Sequence, residues 1–196
     1  MKKPGRLLAV CALAALMSLA LVACGSSGSN GGIGSGNGGS APAGNSKSAE
    51  MQTIGNADVG HVTIPASWVE FDDVDVDDDA GIIQYCGDPS TIITLSAGPA
   101  SNAGDIAGFD SASEKIANLI YSDMANEVGE ENVEGAKVTL AGQQAYQVYG
   151  AYSDGTFLVN WVLEDSAGNV HFVSAEGTAE TIEEAVGYVE GSYTIN

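Results

Sequence analysis

Between residues 111 and 128, apolar residues recur every three or four positions, so a helix would carry them all on one face. Ser111 and Glu114 match the capping box found at the start of helices, and Gly129 suits the position just after a last turn. These features together predict one long amphipathic helix. Its apolar stripe comprises Ile116, Leu119, Ile120, Met124 and Val128.

Short runs rich in β-branched and aromatic residues stand on both sides of this helix. Before it, Val62 and Ile64 alternate with polar residues until Pro65, and two further runs are separated by the turn sequence 87–90. After it, four runs follow one another with turn sequences between them, which predicts an antiparallel meander. The strands predicted after the first are 82–86, 91–95, 136–140, 145–152, 156–164 and 170–175.

The longest run after the helix, 156–164, is apolar at both alternating sets of positions. Trp161 and Leu163 would share one face of a strand, and Leu158 and Val162 would share the other. We therefore expect both faces of the sheet to be covered.

The C-terminal region predicts a short helix and a last strand. Thr181 and Glu184 match a second capping box, apolar residues follow at helical spacing up to Val189, and residues 192–195 are typical of a strand. The complete order predicts an α+β fold, a mainly antiparallel sheet with helices packed on it. We interpret residues 51–196 as a single globular domain.

Two short sequences resemble a known family. The sequence IPxxW at 64–68 and the sequence SYTI at 192–195, together with this order of elements, look like the PsbP-like α/β/α sandwich. That family includes photosystem accessory proteins, a Ran-binding protein and many bacterial lipoproteins. The resemblance implies a protein-binding or accessory module, commonly non-enzymatic, and it transfers no functional residue.

The N-terminus resembles the signal of bacterial lipoproteins. Three basic residues precede an apolar run from Leu7 to Ala23, which is shorter than a spanning helix and ends in the sequence LVAC at 21–24. In proteins with this signal, the peptide is removed before the cysteine, which then carries the lipid. The resemblance implies a signal peptide at 1–23 and lipid attachment at Cys24. An ordinary secretory signal and a retained anchor are the alternatives.

The next segment has the composition of a flexible linker. Residues 25–48 contain nine glycines and seven serines, a composition that cannot bury a core. We therefore interpret residues 24–50 as the lipidated cysteine and a tether. The membrane would be the first partner of this protein, through the lipid at Cys24, and we expect it on the extracytoplasmic face of the cell membrane.

Charge narrows the choice of further partners. The chain has 26 acidic and 6 basic residues, a net charge of −20, which excludes a nucleic-acid partner. Carboxylates crowd the segment before Ala80, and such oxygens suit calcium, although the glycine and glutamate of the EF-hand pattern are missing. A solvated loop and a docking surface for a basic partner are the alternatives. The candidate metal ligands are Asp72, Asp73, Asp75, Asp77, Asp78 and Asp79.

Catalytic chemistry has little support in the sequence. After the signal peptide, His61 and His171 are the two imidazoles, and neither belongs to a known catalytic motif. We predict no catalytic residue, no required cofactor beyond possible weak Ca²⁺, and no enzymatic activity. The main hypothesis is a non-enzymatic binding or accessory module with an envelope protein as partner. A calcium-dependent structural or sensor protein is the alternative, and a hydrolase comes third.

The calcium hypothesis makes a prediction about stability. A ligand that binds the native state raises the melting temperature with concentration, so calcium should raise that of the purified protein. Replacing Asp75, Asp77 and Asp79 by Asn should abolish this rise. Thermal unfolding followed by circular dichroism across a calcium series measures the effect, and an unchanged melting temperature in millimolar calcium would contradict the hypothesis.

Overall fold

The computed structural model of the protein describes residues 50–71 and 81–195. The predicted signal peptide at 1–23 lies outside the described residues, as does the predicted tether except for Glu50. None of the described helices is long and apolar enough to cross a bilayer.

Nine strands and two α-helices make up the described part of the chain, with short 3₁₀ turns on either side of the first helix. The strands are β1 (Met51–Asn56), β2 (Gly60–Pro65), β3 (Val69–Glu70), β4 (Ile83–Asp88), β5 (Thr91–Pro99), β6 (Val133–Leu140), β7 (Gln143–Ala151), β8 (Thr156–Glu164) and β9 (Asn169–Thr178). The helices are α1 (Ala112–Val128) and α2 (Ile182–Ser192).

Seven of the strands form one antiparallel sheet in the order β3-β4-β5-β9-β8-β7-β6. Strands β6 to β9 are neighbours in chain order, so the predicted meander is confirmed. Strand β9 then joins β5, which brings the N-terminal strands into the same sheet. The remaining two, β1 and β2, form a separate hairpin; β1 is a strand that the sequence analysis did not predict.

Helix α1 covers one face of the sheet. Its Ala117 and Met124 pack in a core with Tyr146 and Val148 of β7 and Val162 of β8. The long helix and its inward face were both predicted from the spacing of apolar residues. Leu119, which was assigned to the apolar stripe, is half exposed instead, because the helical turn places it on the side of α1 away from Ala117 and Met124.

Helix α2 and the β1-β2 hairpin cover the opposite face. Gln147 of β7 donates a hydrogen bond to Glu190 of α2 (3.1 Å), and Gly177 of β9 lies directly under the first turn of that helix. Trp161 and Leu163 are fully buried on this side of β8. The architecture is therefore an α/β/α sandwich, and the predicted burial of both faces of β8 is confirmed.

The two predicted capping boxes behave differently. At α1, the Ser111 hydroxyl accepts from the Glu114 N–H (3.1 Å), while the Glu114 carboxylate accepts from the N–H of Asp110 (2.7 Å). At α2, the capping box is wrong. Thr181 has helical backbone angles, and its hydroxyl accepts from the N–H of Thr178 (3.1 Å), so it is turned toward the preceding loop.

The predicted C-terminal strand is also wrong. Helix α2 continues to Ser192, whose hydroxyl donates to the Tyr188 carbonyl (2.6 Å). Beyond it, a single β-bridge joins Thr194 to His61, with two backbone hydrogen bonds of 2.9 Å. Because Ser192 belongs to α2, too little of the predicted strand remains after the helix for a longer pairing.

The IPxxW sequence forms the junction between the hairpin and α2. The N–H of Trp68 donates to the Pro65 carbonyl (3.0 Å), and the Gln52 amide donates to the carbonyls of Pro65 (3.2 Å) and Trp68 (2.8 Å). The Trp68 ring meets the Tyr188 ring edge to face, with centroids 5.9 Å apart. The motif therefore ties the turn after β2 to the outer layer of the sandwich.

Two glycine-to-alanine substitutions should change stability in opposite directions. An alanine Cβ at the buried Gly177 would lie 2.8 Å from the Thr181 hydroxyl and 3.1 Å from the Ile182 nitrogen, so Gly177→Ala should destabilise the protein by about 2 kcal/mol. Gly187 is exposed in the middle of α2 with open space around it, so Gly187→Ala should stabilise by roughly 0.5–1 kcal/mol. Urea unfolding measures both, and destabilisation by Gly187→Ala would contradict this account of α2.

Candidate binding groove beside strand β6

A groove of about 520 Å³ runs between helix α1 and strand β6 at one side of the sheet. Strand β6 is the last strand of the sheet, so the groove follows an edge of the sandwich. Its walls are mixed, with aromatic, aliphatic and charged side chains. They are formed by Glu114, Ala117, Asn118 and Tyr121 of α1, by residues 133–137 of β6, and by Tyr146, Gln147 and Val148 of β7.

Lys137 is the one positively charged residue among the described residues that line this groove, and its ammonium group contacts two carboxylates and an aromatic ring. Its ammonium lies 3.5 Å from the Glu114 carboxylate, 3.6 Å from that of Asp110 and 5.2 Å from the centroid of the Tyr146 ring. The contact with Tyr146 first, and then the charge of Glu114, raise the pKa of Lys137. Two carboxylates therefore face one ammonium group, which leaves this end of the groove with an excess of negative charge.

A second cavity of about 550 Å³ lies at the start of α1, beyond Asp110. One carboxylate oxygen of Glu164 is buried there and has no hydrogen-bond partner among the described residues. With Asp110, Glu164 and Asp165 in its wall, the second cavity is also acidic. The remaining lining residues are Ala100, Gly104, Ile106, Ser111, Ala112, Ser113, Gln143 and Gln144.

His171 belongs to a buried network between the sheet and the C-terminal segment. It is 1% exposed, and its Nε2 lies 3.1 Å from the Asp165 carboxylate while its Nδ1 lies 3.3 Å from the Tyr193 hydroxyl. That hydroxyl donates to the Val59 carbonyl (2.9 Å), and burial raises the pKa of Tyr193. The network joins the β8-β9 turn to the β1-β2 hairpin, so the contacts of His171 hold these two parts of the structure together.

Asp165 organises the β8-β9 turn. One of its oxygens accepts from the N–H groups of Ala167 and Asn169, both at 2.8 Å, and the other faces the Asn169 amide at 3.0 Å. The Asn169 N–H, and further hydrogen bonds including that to His171, hold the pKa of Asp165 well below its usual range. Both oxygens of the Asp165 carboxylate are therefore used in hydrogen bonds that stabilise the turn.

The two histidines lie outside both cavities. His61 is in β2, where its backbone pairs with Thr194. Neither histidine lines the groove or the second cavity. A site assembled around one of them, as the hydrolase hypothesis requires, does not occur in either space.

The site residues predicted from the sequence lie outside the described part of the chain. These are Cys24, proposed for lipid attachment, and the candidate calcium ligands between Asp72 and Asp79. Within residues 50–71 and 81–195, no group of three or more His, Cys, Asp or Glu side chains is placed to hold a metal ion.

Sequence reasoning missed the groove itself. Tyr121 and Tyr146 lie far apart in the chain, and their meeting depends on how α1 crosses the sheet. One usable signal was present: Lys137 is one of two lysines in the described residues, and it stands inside a predicted strand. A lysine inside a strand of so acidic a chain indicates a place where carboxylates converge, and Lys137 does face Asp110 and Glu114.

Comparison with known proteins shows the fold. No protein-family model and no curated protein sequence matches the chain. Among solved structures, cyanobacterial PsbP (CyanoP) from Synechocystis is similar, with a TM-score of 0.51, 11% sequence identity, and coverage of 86% of this chain and 98% of the other. The fold is therefore PsbP-like, as the sequence resemblance implied.

Two other solved structures are similar at a lower level. LpqN, described as involved in cell envelope biogenesis of Mycobacterium tuberculosis, has a TM-score of 0.42 and 16% identity, over 74% of this chain and 90% of that one. The Ran-binding protein Mog1p of Saccharomyces cerevisiae has a TM-score of 0.47 and 9% identity, over 76% of this chain and 96% of that one.

The Asp165 turn generates a pH-dependent prediction. Asp165→Asn should destabilise the protein by about 2 kcal/mol at pH 7, because it replaces a hydrogen-bonded carboxylate by an amide. Since the folded pKa of Asp165 is lowered, its stabilising contribution is complete above the unfolded pKa of about 3.9, declines as the pH falls below that value, and is lost as the pH falls through the folded pKa. Urea unfolding should therefore give a smaller difference between the two proteins at pH 3 than at pH 7.

The matched control for this experiment is Asp123→Asn, on the exposed side of α1, which should cost less than 0.5 kcal/mol at either pH. A loss of stability in Asp165→Asn that is equally large at pH 3 and pH 7 would contradict the assigned role of the carboxylate.

Proposed function

We propose that this chain is a lipid-anchored, extracytoplasmic lipoprotein that acts as a non-enzymatic binding or accessory module of the cell envelope. The observation that carries the proposal is the LVAC sequence at 21–24, placed between an apolar run and a Gly/Ser-rich segment. The lipid on Cys24 would hold the protein at the membrane, and residues 25–48 would separate the folded domain from its surface.

The charge of the domain supports anchoring by lipid alone. Polybasic segments are what draw proteins to anionic lipid, and the described domain has two lysines among many carboxylates. Such a surface is repelled by anionic lipid headgroups. Stable attachment would then require acyl chains, which contribute about 0.8 kcal/mol for each buried methylene group.

The geometry of the domain supports binding as its activity. The groove beside β6 is open and lined by Tyr121 and Tyr146, and tyrosine is enriched where proteins meet partners. Both cavities are bordered by carboxylates, which favours a partner with basic groups. An envelope protein is the partner class that we propose for this surface.

Replacing the lipidated cysteine tests the anchoring half of the proposal. In cells supplied with an alkyne-labelled fatty acid, the wild-type protein should take up the label and lose residues 1–23. Cys24→Ala should take up no label and keep these residues, because both steps depend on the cysteine. In-gel detection of the label and the mass of the N-terminal peptide measure the two effects.

Cys86→Ala is the matched control, since Cys86 is a free, half-buried cysteine within β4. This variant should be labelled and cleaved like the wild type. A wild-type protein without label, or label that persists in Cys24→Ala, would remove the lipoprotein assignment.

A further inference from the structure

Strand β6 offers a long, regular edge of backbone hydrogen-bonding groups. It pairs with β7 without interruption from Val133 opposite Gly150 to Leu140 opposite Gln143, and no described strand pairs with its other side. Residues 134–137 are exposed. The outward N–H and C=O groups of an edge strand are a template for pairing with another extended chain.

The opposite edge of the same sheet is built differently. Strand β3 has two residues, Val69 and Glu70, and the pairing of β4 with β5 contains an irregularity between Cys86 and Asp88. Short edge strands and bulges are two of the devices by which proteins prevent pairing at an edge, and charged side chains such as Glu134 and Lys137 of β6 are another. Strand β6 is eight residues long and has neither the short length nor the irregular pairing of the opposite edge.

The groove lies where the side chains of an added strand would need space. In a strand paired to β6, alternate side chains would point toward α1. On that side Gly135 contributes no side chain, and a Cβ at this position would be 3.5 Å from the Tyr121 ring. The groove of about 520 Å³ between β6 and α1 could therefore receive these alternate side chains.

The charges around β6 indicate which strand would fit. Both lysines in the described residues are already engaged: Lys115 donates to the carbonyls of Ala103 and Asp105 (2.6 Å each), and Lys137 faces Asp110 and Glu114. The exposed Glu134 adds a carboxylate on the other face of β6. A basic segment is complementary to this edge, whereas an acidic one would be repelled.

Two other occupants are disfavoured by the same observations. A second copy of this chain would bring together two molecules with a net charge of −20 each. The Gly/Ser-rich segment 25–48 lacks the β-branched and aromatic residues that favour a strand, with Ile33 as its single large aliphatic residue.

We propose that the β6 edge is a strand-addition site, at which an extended basic segment of a partner protein pairs with β6 and places alternate side chains in the groove against α1. Main-chain hydrogen bonds would supply affinity and the groove would supply selectivity, as in other proteins that bind peptides at a sheet edge. The inference rests on the proposed binding function and specifies the surface and the chemistry of its partner.

Hydrogen exchange with synthetic peptides tests this inference on the purified full-length protein. The probe is an octapeptide of alternating Lys and Val with blocked ends, and the two comparison peptides are its Glu-Val counterpart and a form N-methylated at every residue, which has no backbone N–H on either edge. We expect the Lys-Val peptide at millimolar concentration to slow amide exchange in residues 133–140, measured by mass spectrometry. Exchange in β1 and β3 should not change.

The comparison peptides separate strand addition from simple charge attraction. The N-methylated peptide keeps its charge but loses backbone donors, so it should give no protection of residues 133–140. The Glu-Val peptide should also give none. The inference is overturned if the Lys-Val peptide leaves residues 133–140 unprotected, or if the N-methylated peptide protects them equally.

Substitutions near the groove should shift the peptide affinity in predictable directions. Glu134→Gln should weaken binding of the Lys-Val peptide on the order of two- to fivefold, because it removes one exposed carboxylate. Lys137→Met should strengthen binding by a similar factor, since it frees Asp110 and Glu114. Glu183→Gln, on α2, is the matched control and should leave binding unchanged.

The sign of the Lys137→Met effect also separates this inference from the binding of an acidic partner. Weaker binding of the Lys-Val peptide to Lys137→Met would overturn the assignment of a basic partner. The test is independent of the anchor: if β6 stays unprotected while Cys24→Ala still abolishes lipid labelling, this inference fails and the lipoprotein assignment stands.

Discussion

Burial of strand β8 on both faces is the constraint on which the rest of the structure depends. Val162 faces the α1 layer, Trp161 and Leu163 face the α2 layer, and all three are fully buried. A strand of this kind is stable only in the middle of a sheet whose two faces are both covered. The sandwich therefore needs two layers, which α1 supplies on one side and α2 with the β1-β2 hairpin on the other.

Elements with a strong local signal could be predicted from the sequence, and those that depend on tertiary contacts could not. Helix α1 and the meander have clear periodicity, caps and turns. Thr181, in contrast, satisfies the pattern of a cap but directs its hydroxyl to Thr178, because the loop before α2 is held against β5 and β9. Strand β1 has a weakly apolar sequence and gains its pairing only when β2 is in place.

The same distinction applies to the site. Tyr121 and Tyr146 meet because a helix crosses a sheet at a particular place, and no spacing in the sequence encodes this meeting. The excess of carboxylates was visible in the composition, but its distribution was not. Lys115 fastens the loop before α1 and Lys137 joins α1 to β6, so the lysines are used to hold elements together. The carboxylates that remain determine the charge of the surface.

A sandwich covered on both faces presents its unsatisfied backbone groups at the edges of the sheet. In this protein one edge is shortened to the two residues of β3, and the other retains the eight residues of β6. A long, regular edge promotes aggregation in a protein at high concentration, and the strong net negative charge opposes such self-association. The acidity that keeps copies apart also selects for basic partners. Charge and edge geometry therefore act in the same direction, toward association with a different chain.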